Sequence, residues 1–241
     1  KENLSKDKNL VKCDLTNQVQ LKKIVKDINP DVIYHFAGLT NPQRNEQTPD
    51  DAKLLHVGIT NNLINAIDTQ NTHIVFLSTD KVFDGTKIDP EETSETNPLW
   101  GYGSLKLECE KIIEESMPKY HIIRLPIVHG NGNEKSSSFI DDALINLRRG
   151  NKVYAFNNIK RCFVKLDELT GLLKKLIDNS HYGIYHAGST MTSYYERILM
   201  LCDENSILVN GRLVPVEGNV KPSVQNLNTR KLEQILNYTF S

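Results

Sequence analysis

His73-Ile-Val-Phe-Leu-Ser-Thr-Asp80 is a short run, apolar at consecutive positions from Ile74 to Leu77, that ends in small polar residues. A segment without polar alternation is a strand covered on both faces, the signature of a parallel sheet. The Ser78-Thr79-Asp80 end marks where the chain leaves that sheet. A polar loop follows from Asp84 to about Pro98. Beyond it Leu105, Cys109, Ile112 and Ile113 share one face of a predicted helix that begins near Tyr102. Strand, loop and helix in this order make up most of a βαβ unit.

The same rhythm continues upstream and downstream. Leu21, Ile24, Val25 and Ile28 recur at i, i+3, i+4 and i+7, with Thr16 or Asn17 as a cap and Pro30 as the stop. Asp31-Val-Ile-Tyr-His-Phe-Ala37 reads as a buried strand, Leu54 to Ile67 as a long helix, and His121-Ile-Ile-Arg-Leu125 as a further strand. After about His129 the pattern loosens. Phe139 to Leu147 predicts a helix, Val153-Tyr154 a short strand, and Leu169 to Ile177 another helix. Gly183 to Gly188 and Leu208 to Val216 are strand-like, and Leu232 to Leu236 forms a last short helix. The fold class expected is α/β, a doubly wound parallel sheet with a small mixed α/β lobe. Residues 1–130 would form the sheet domain, and residues 131–241 a lobe interleaved with it.

Composition excludes several function classes. The 241 residues carry 29 basic and 30 acidic side chains, a formal charge of -1. That is neither a basic nucleic-acid module nor an acidic disordered tail. No apolar run approaches the roughly 20 residues that cross a bilayer, and no secretory leader opens the sequence. Cys13, Cys109, Cys162 and Cys202 form no CxxC pair, which argues against a zinc site or a disulfide framework. A cytoplasmic protein without metal, nucleic-acid or membrane partners is expected.

Tyr102 and Lys106 lie at i and i+4 on one helix face, close in sequence to a strand ending in Thr79. Ligands of open parallel sheets bind outside the carboxyl ends of the strands. A tyrosine proton, an ammonium that favours phenolate, and a hydroxyl that holds a carbonyl oxygen together suit proton transfer to a carbonyl under reduction. Alone the spacing is weak. With nine tyrosines among 29 basic residues in 241, one such pair arises by chance, and Tyr120/Arg124 is another. Its place after a strand ending Ser-Thr-Asp is what gives it weight.

These segments resemble the extended short-chain dehydrogenase/reductase superfamily, in particular its dTDP-4-dehydrorhamnose reductase branch. Ser78-Thr-Asp-Lys-Val-Phe-Asp-Gly85 is similar to the branch's STDYVFDG-like motif. Glu95-Thr-Asn-Pro98 with Tyr102-Gly-Ser-Leu-Lys106 is similar to its acidic-Pro-YGxxK segment. Cys13-Asp-Leu15, Asp31 to Gly38 and Arg124 to Gly130 resemble further parts of the dinucleotide fold; Tyr185 to Gly188 and Lys221-Pro222 resemble the substrate lobe more loosely. The resemblance implies a Rossmann-like sheet, NADPH or NADH as cofactor, and a nucleotide-activated 4-keto-6-deoxysugar as substrate. It implies Thr79, Tyr102 and Lys106 as catalytic residues. Asp14, Leu15, Ala37, Gly38, Ser78, Tyr102 and Lys106 would bind cofactor, and Thr79, Asp80, Val82, Phe83 and Arg161 substrate. It is consistent with a homodimer.

The sequence also departs from that pattern. No GxxGxxG turn precedes Asp14, so the expected sheet is N-terminally incomplete, with a βαβ unit's worth of residues upstream of Lys1. Lys81 stands where the family usually has tyrosine, and His56 and Ile59 where it commonly has asparagine and glycine. Asp14 reads equally as a helix cap, His35 as a core histidine, and His129 and His186 as either pocket or core. Arg161 reads as a phosphate ligand or an exposed ion pair. Two other functions share the motif: a nucleotide-sugar epimerase or dehydratase, and a regulatory subunit like the β subunit of methionine adenosyltransferase.

Overall fold

A computed structural model describes residues 10–39, 42–130, 138–219 and 226–240. Helix α1 is Gln18–Ile28; its cap is Asn17, whose side chain accepts from the Gln20 amide, and left-handed Asn29 closes the far end before Pro30. Strand β1 is Val32–His35. Two short helices that were not expected follow, α2 Pro42–Gln47 and α3 Pro49–Lys53; the long helix expected over Leu54 to Ile67 is a π-helical turn, Leu54–Gly58, running into α4, Ile59–Ile64. Strand β2, His73–Thr79, leads through a 3-10 turn, Asp80–Val82, and a loop to α5, Gly101–Ser116. Strands β3 Tyr120–Leu125 and β4 Ile127–His129 follow.

The second half runs α6 Phe139–Arg148, β5 Val153–Phe156, β6 Lys160–Arg161, β7 Phe163–Lys165, α7 Leu166–Ile177 and β8 Gly183–His186. It ends with β9 Thr192–Ser193, α8 Tyr194–Glu204, β10 Leu213–Val216 and α9 Arg230–Leu236. Helix α8 was not expected, although Ser193 and Glu196 form a capping box that the spacing S-x-x-E announces. The strand expected from Leu208 begins only at Leu213, because Asn210 and Gly211 are both left-handed and turn the chain first.

Strands β1, β2, β3 and β8 form one parallel sheet in that order, with His35 opposite Phe76, Thr79 opposite Leu125, and Arg124 opposite His186. Alternation along each strand sends side chains to opposite faces. Ile74, Phe76 and Ile122 pack under Leu21, Leu63, Cys109 and Ile113 from α1, α4 and α5. Val75, Ile123 and Tyr185 pack under Leu169, Leu172, Leu176 and Leu232 from α7 and α9. Helices therefore cover both faces, and each buried aliphatic side chain contributes roughly 1.5–3 kcal/mol. A separate cluster around Ile140, Phe163, Ile198 and Leu213 is the core of the lobe, where β5 pairs with β10 and β4 with β7. No helix among the described residues is long and apolar enough to cross a membrane.

Histidines are unusually common in this interior. Burial holds His35, His121 and His129 down at about 4 and His186 at about 3, with nearby Lys106, His73, Arg197 and Arg124 respectively adding to the effect. The unfolded chain, with histidines near 6.5, binds more protons than the native state between those values. Stability is therefore full above about pH 6.5 and is lost as pH falls towards 4. One such shift is worth roughly 3 kcal/mol, against the roughly 5–15 kcal/mol that holds a domain together. An acid titration followed by near-ultraviolet circular dichroism should show cooperative unfolding inside that window. An unchanged spectrum at pH 4 would contradict it.

Candidate active site

The carboxyl end of β2 is where the sequence concentrates its polar chemistry. Thr79 Oγ1 accepts from the Lys81 amide at 3.2 Å and lies 3.2 Å from Asp80 Oδ1, to which it can donate. Asp80 is buried, and burial pushes its carboxyl above the usual range despite Lys81 next to it. The start of α5 comes down against this turn at Gly103. A Cβ there would lie 2.2 Å from the Lys81 carbonyl oxygen and 3.1 Å from Pro98 Cβ, so only glycine permits the approach. That contact sets Tyr102, the preceding residue, beside the end of β2.

Lys106 lies one turn further along α5 and is only 6% exposed, with Nζ 4.1 Å from the centroid of the Phe76 ring of β2. Thr79, Tyr102 and Lys106 are thus gathered around one strand end. Their electrostatics differ from the expectation that Lys106 lowers the tyrosine. Burial, reinforced by Asp80, pushes the Tyr102 phenol up to about 12, and burial brings Lys106 down to about 8. Desolvation opposes whichever form is charged. Tyr102 is a protonated phenol throughout the neutral range.

His56 completes this side, in a role the sequence did not reveal. It sits in the π-helical turn, a feature frequent at functional sites. Its ring meets Tyr102 edge-on at 5.7 Å, and its Nε2 lies 3.3 Å from the Leu39 amide nitrogen and 3.1 Å from the Leu39 carbonyl oxygen. It fills the space over Gly38, where a Cβ would meet its Cε1 at 2.9 Å. Burial and then Lys106 keep this imidazole below its ordinary value. Thr60 ties the turn together, donating to the His56 carbonyl at 2.8 Å with His35 Nε2 2.9 Å away. His35 is the core histidine it was read as, 3% exposed.

The other residues implied for cofactor are dispersed unevenly. Ala37 is half-buried and Gly38 exposed just past the carboxyl end of β1. Asp14 does not cap α1, which Asn17 does; its exposed carboxylate accepts from Thr16 Oγ1 at 2.7 Å and from the Thr16 amide at 3.0 Å. Leu15 packs its side chain at the margin of the α1–α5 core. Ser78 does not offer its hydroxyl to a ligand, because it donates to Glu110 Oε1 in the interior.

Among the residues implied for substrate, Val82 and Phe83 instead form a small core cluster with Leu227. Val82 is wholly buried, and Phe83 packs on His186 and Arg124. Asp80 turns inward as described. Arg161, half-buried on β6, donates to the Lys160 carbonyl at 2.8 Å, and its charge acts on Asp80 and on Tyr194 of α8. Lys221 and Pro222 lie outside the described residues. His129 and His186 are buried, at 3% and 0% exposure, and His129 also borders a cavity with Gly130, Asp141 and Lys165. The Glu110–Arg124 pair beneath the site also escaped the sequence reading.

Comparison with known proteins finds one family and relatives of two kinds. A family model described as RmlD substrate binding domain matches residues 2–235. A crystal structure of dTDP-4-dehydrorhamnose reductase from Bacillus anthracis in complex with NADP superposes with a TM-score of 0.82 at 25% identity, covering 95% of this chain and 81% of that one. The dTDP-4-dehydrorhamnose reductase of Salmonella typhimurium is 33% identical over 129 residues, 53% of this chain and 43% of its own. Methionine adenosyltransferase 2 subunit beta of Xenopus tropicalis is 27% identical over 234 residues, 92% of this chain and 70% of its own.

Proposed function

Because the chain belongs to the RmlD substrate binding domain family, we propose that it is an NAD(P)-dependent reductase of a nucleotide-activated 4-keto-6-deoxysugar. The observation that carries this reading is a half-buried, protonated tyrosine on the helix that packs against the threonine's strand end, one turn from a buried lysine. The small residues Ala37 and Gly38 at the end of β1, the exposed Asp14 carboxylate and Lys106 fit a dinucleotide laid across the strand ends; the Ser78 hydroxyl does not take part. A nicotinamide held there supplies hydride. Thr79 holds the substrate carbonyl oxygen in line, and Tyr102 gives it a proton as negative charge develops. Lys106 would hold the cofactor ribose and restore the tyrosine proton, a task suited to an ammonium near 8. In this reading residues 1–130 hold the dinucleotide and residues 131–241 the sugar nucleotide.

The test is oxidation of NADPH or NADH in the presence of dTDP-4-keto-6-deoxyglucose, with one reduced sugar formed per cofactor consumed. Absence of turnover with both cofactors would overturn the reading. A second reading, a subunit that acts on a partner enzyme, is favoured by the 92% of the chain that aligns with methionine adenosyltransferase 2 subunit beta. Stoichiometric co-purification with an enzyme, together with no keto-sugar turnover, would establish it instead.

A further inference from the structure

His56 touches two elements of the site at once. Its ring meets Tyr102 of α5 with the centroids 5.7 Å apart. Its Nε2 reaches the turn after β1, where the Leu39 N–H donates to it at 3.3 Å. The Leu39 carbonyl oxygen, 3.1 Å from the same nitrogen, already accepts from Asn45 Nδ2 at 2.7 Å. A nitrogen that accepts cannot also donate, so with the amide as donor the neutral ring carries its proton on Nδ1. Burial, and then Lys106, favours that neutral form. The Cε1–Nδ1 edge lies against Gly38, where a Cβ would come within 2.9 Å of Cε1 and 3.0 Å of Nδ1, so glycine makes room for the imidazole. The ring has little freedom to swing. His56 is 2% exposed, its carbonyl accepts from Thr60 Oγ1 at 2.8 Å, and that hydroxyl lies 3.4 Å from Cys109 Sγ on α5. A buried ring bonded on one side and packed on the other passes a displacement of either neighbour to the other, because close-packed interiors transmit strain.

We propose that His56 is a positioning residue that locks the Gly38–Leu39 turn, over which the cofactor would lie, to Tyr102, the proton donor. The inference rests on the reductase reading for the roles of both neighbours. The two contacts of the ring do separable work. The Nε2 bond fixes the turn, so it governs how tightly a dinucleotide binds. The contact with Tyr102 fixes the phenol relative to the substrate carbonyl, so it governs the rate of proton transfer. An amide side chain in this place could supply the first contact and has no ring for the second.

Calorimetric titration of the whole chain with NADPH and with NADH tests this, together with kcat on dTDP-4-keto-6-deoxyglucose at saturating cofactor. His56→Phe keeps a ring beside Tyr102 and removes the nitrogen. It should raise the dinucleotide Kd about tenfold, the scale of one lost hydrogen bond, and lower kcat by no more than a few-fold. His56→Gln keeps an acceptor for the Leu39 amide and removes the ring. It should lower kcat at least about tenfold through misplacement of the phenol, and raise Kd by no more than a few-fold. Opposite splits in the two variants cannot come from a general loosening of the fold, which would move both quantities in both. Parallel losses of affinity and rate, no loss in either variant, or no dinucleotide binding by the wild type would overturn the lock. Keto-sugar turnover without the split removes the lock alone. Dinucleotide binding that His56→Phe weakens, in a chain without keto-sugar turnover, removes the reductase reading and leaves His56 as the anchor of the turn.

Discussion

Tyr102→Phe should lower keto-sugar turnover by about 10²–10⁴-fold, the range that a positioned general acid supplies, while leaving cofactor affinity and thermal stability close to wild type. The substitution removes only the hydroxyl. The ring remains to meet His56 edge-on, and the Gly103 contact that places it is backbone packing. A phenol at about 12 is fully protonated at neutral pH, which is the form that donates. The acceptor, an alkoxide forming as hydride arrives, is a stronger base than phenolate, so transfer runs downhill in the reducing direction. The reverse reaction needs phenolate and should be correspondingly slow below about pH 10. Stopped-flow measurement of both directions across pH checks the asymmetry, and a Phe variant within a few-fold of wild type would remove Tyr102 from the chemistry.

Glu110→Ala should destabilise the protein by about 3–5 kcal/mol, the cost of leaving a buried partner charge unpaired. Arg124 is 3% exposed and donates through Nε at 3.2 Å and Nη2 at 2.7 Å to the Glu110 carboxylate, which also receives the Ser78 hydroxyl. The remaining Arg124 donor reaches the Glu92 carbonyl at 3.2 Å and lies 3.4 Å from His186 Nε2. Removing one carboxylate thus strands a guanidinium and a hydroxyl where water does not reach. For a chain of this length the loss corresponds to a fall in Tm of roughly 6–20 °C by calorimetry. The pair joins α5, β2 and β3 a turn beyond Lys106, so turnover should fall with it. Replacing both partners, Glu110→Met with Arg124→Met, should recover much of the stability, because two buried apolar groups leave no charge unmatched. A single variant that melts with the wild type would show that the pair contributes little.

The parallel sheet was legible because its strands carry consecutive apolar residues, and hydrophobic periodicity is a local signal. Tyr102 and Lys106 were legible as one helix face, because i and i+4 is a local spacing, and Thr79 as a strand end; joining the three into one set took the family resemblance, since the spacing alone is weak. Burial was not legible. That Ser78 turns to Glu110, that Val82 is interior, and that Tyr102 is raised rather than lowered all depend on neighbours distant in sequence. His56 was visible as a substitution, but its grip on Leu39 and Gly38 depends on a π-helical turn that no periodicity announces. Helix α8 is the reverse case: its capping box was present in the sequence and went unread.

The sheet's fourth strand has a consequence for how the chain is made. Strand β8 pairs with β3 across a long stretch of sequence, His121 meeting Gly183, and the lobe elements from α6 to β7 lie between them. Until β8 and α7 emerge, the face bearing Val75, Ile123 and Leu125 is bare. Non-local pairing of this kind slows folding and prolongs the exposure of sticky intermediates. During synthesis the nascent half-sheet is a natural client for chaperones, and its yield should depend more on how quickly residues up to β8 leave the ribosome than on the final stability of the protein.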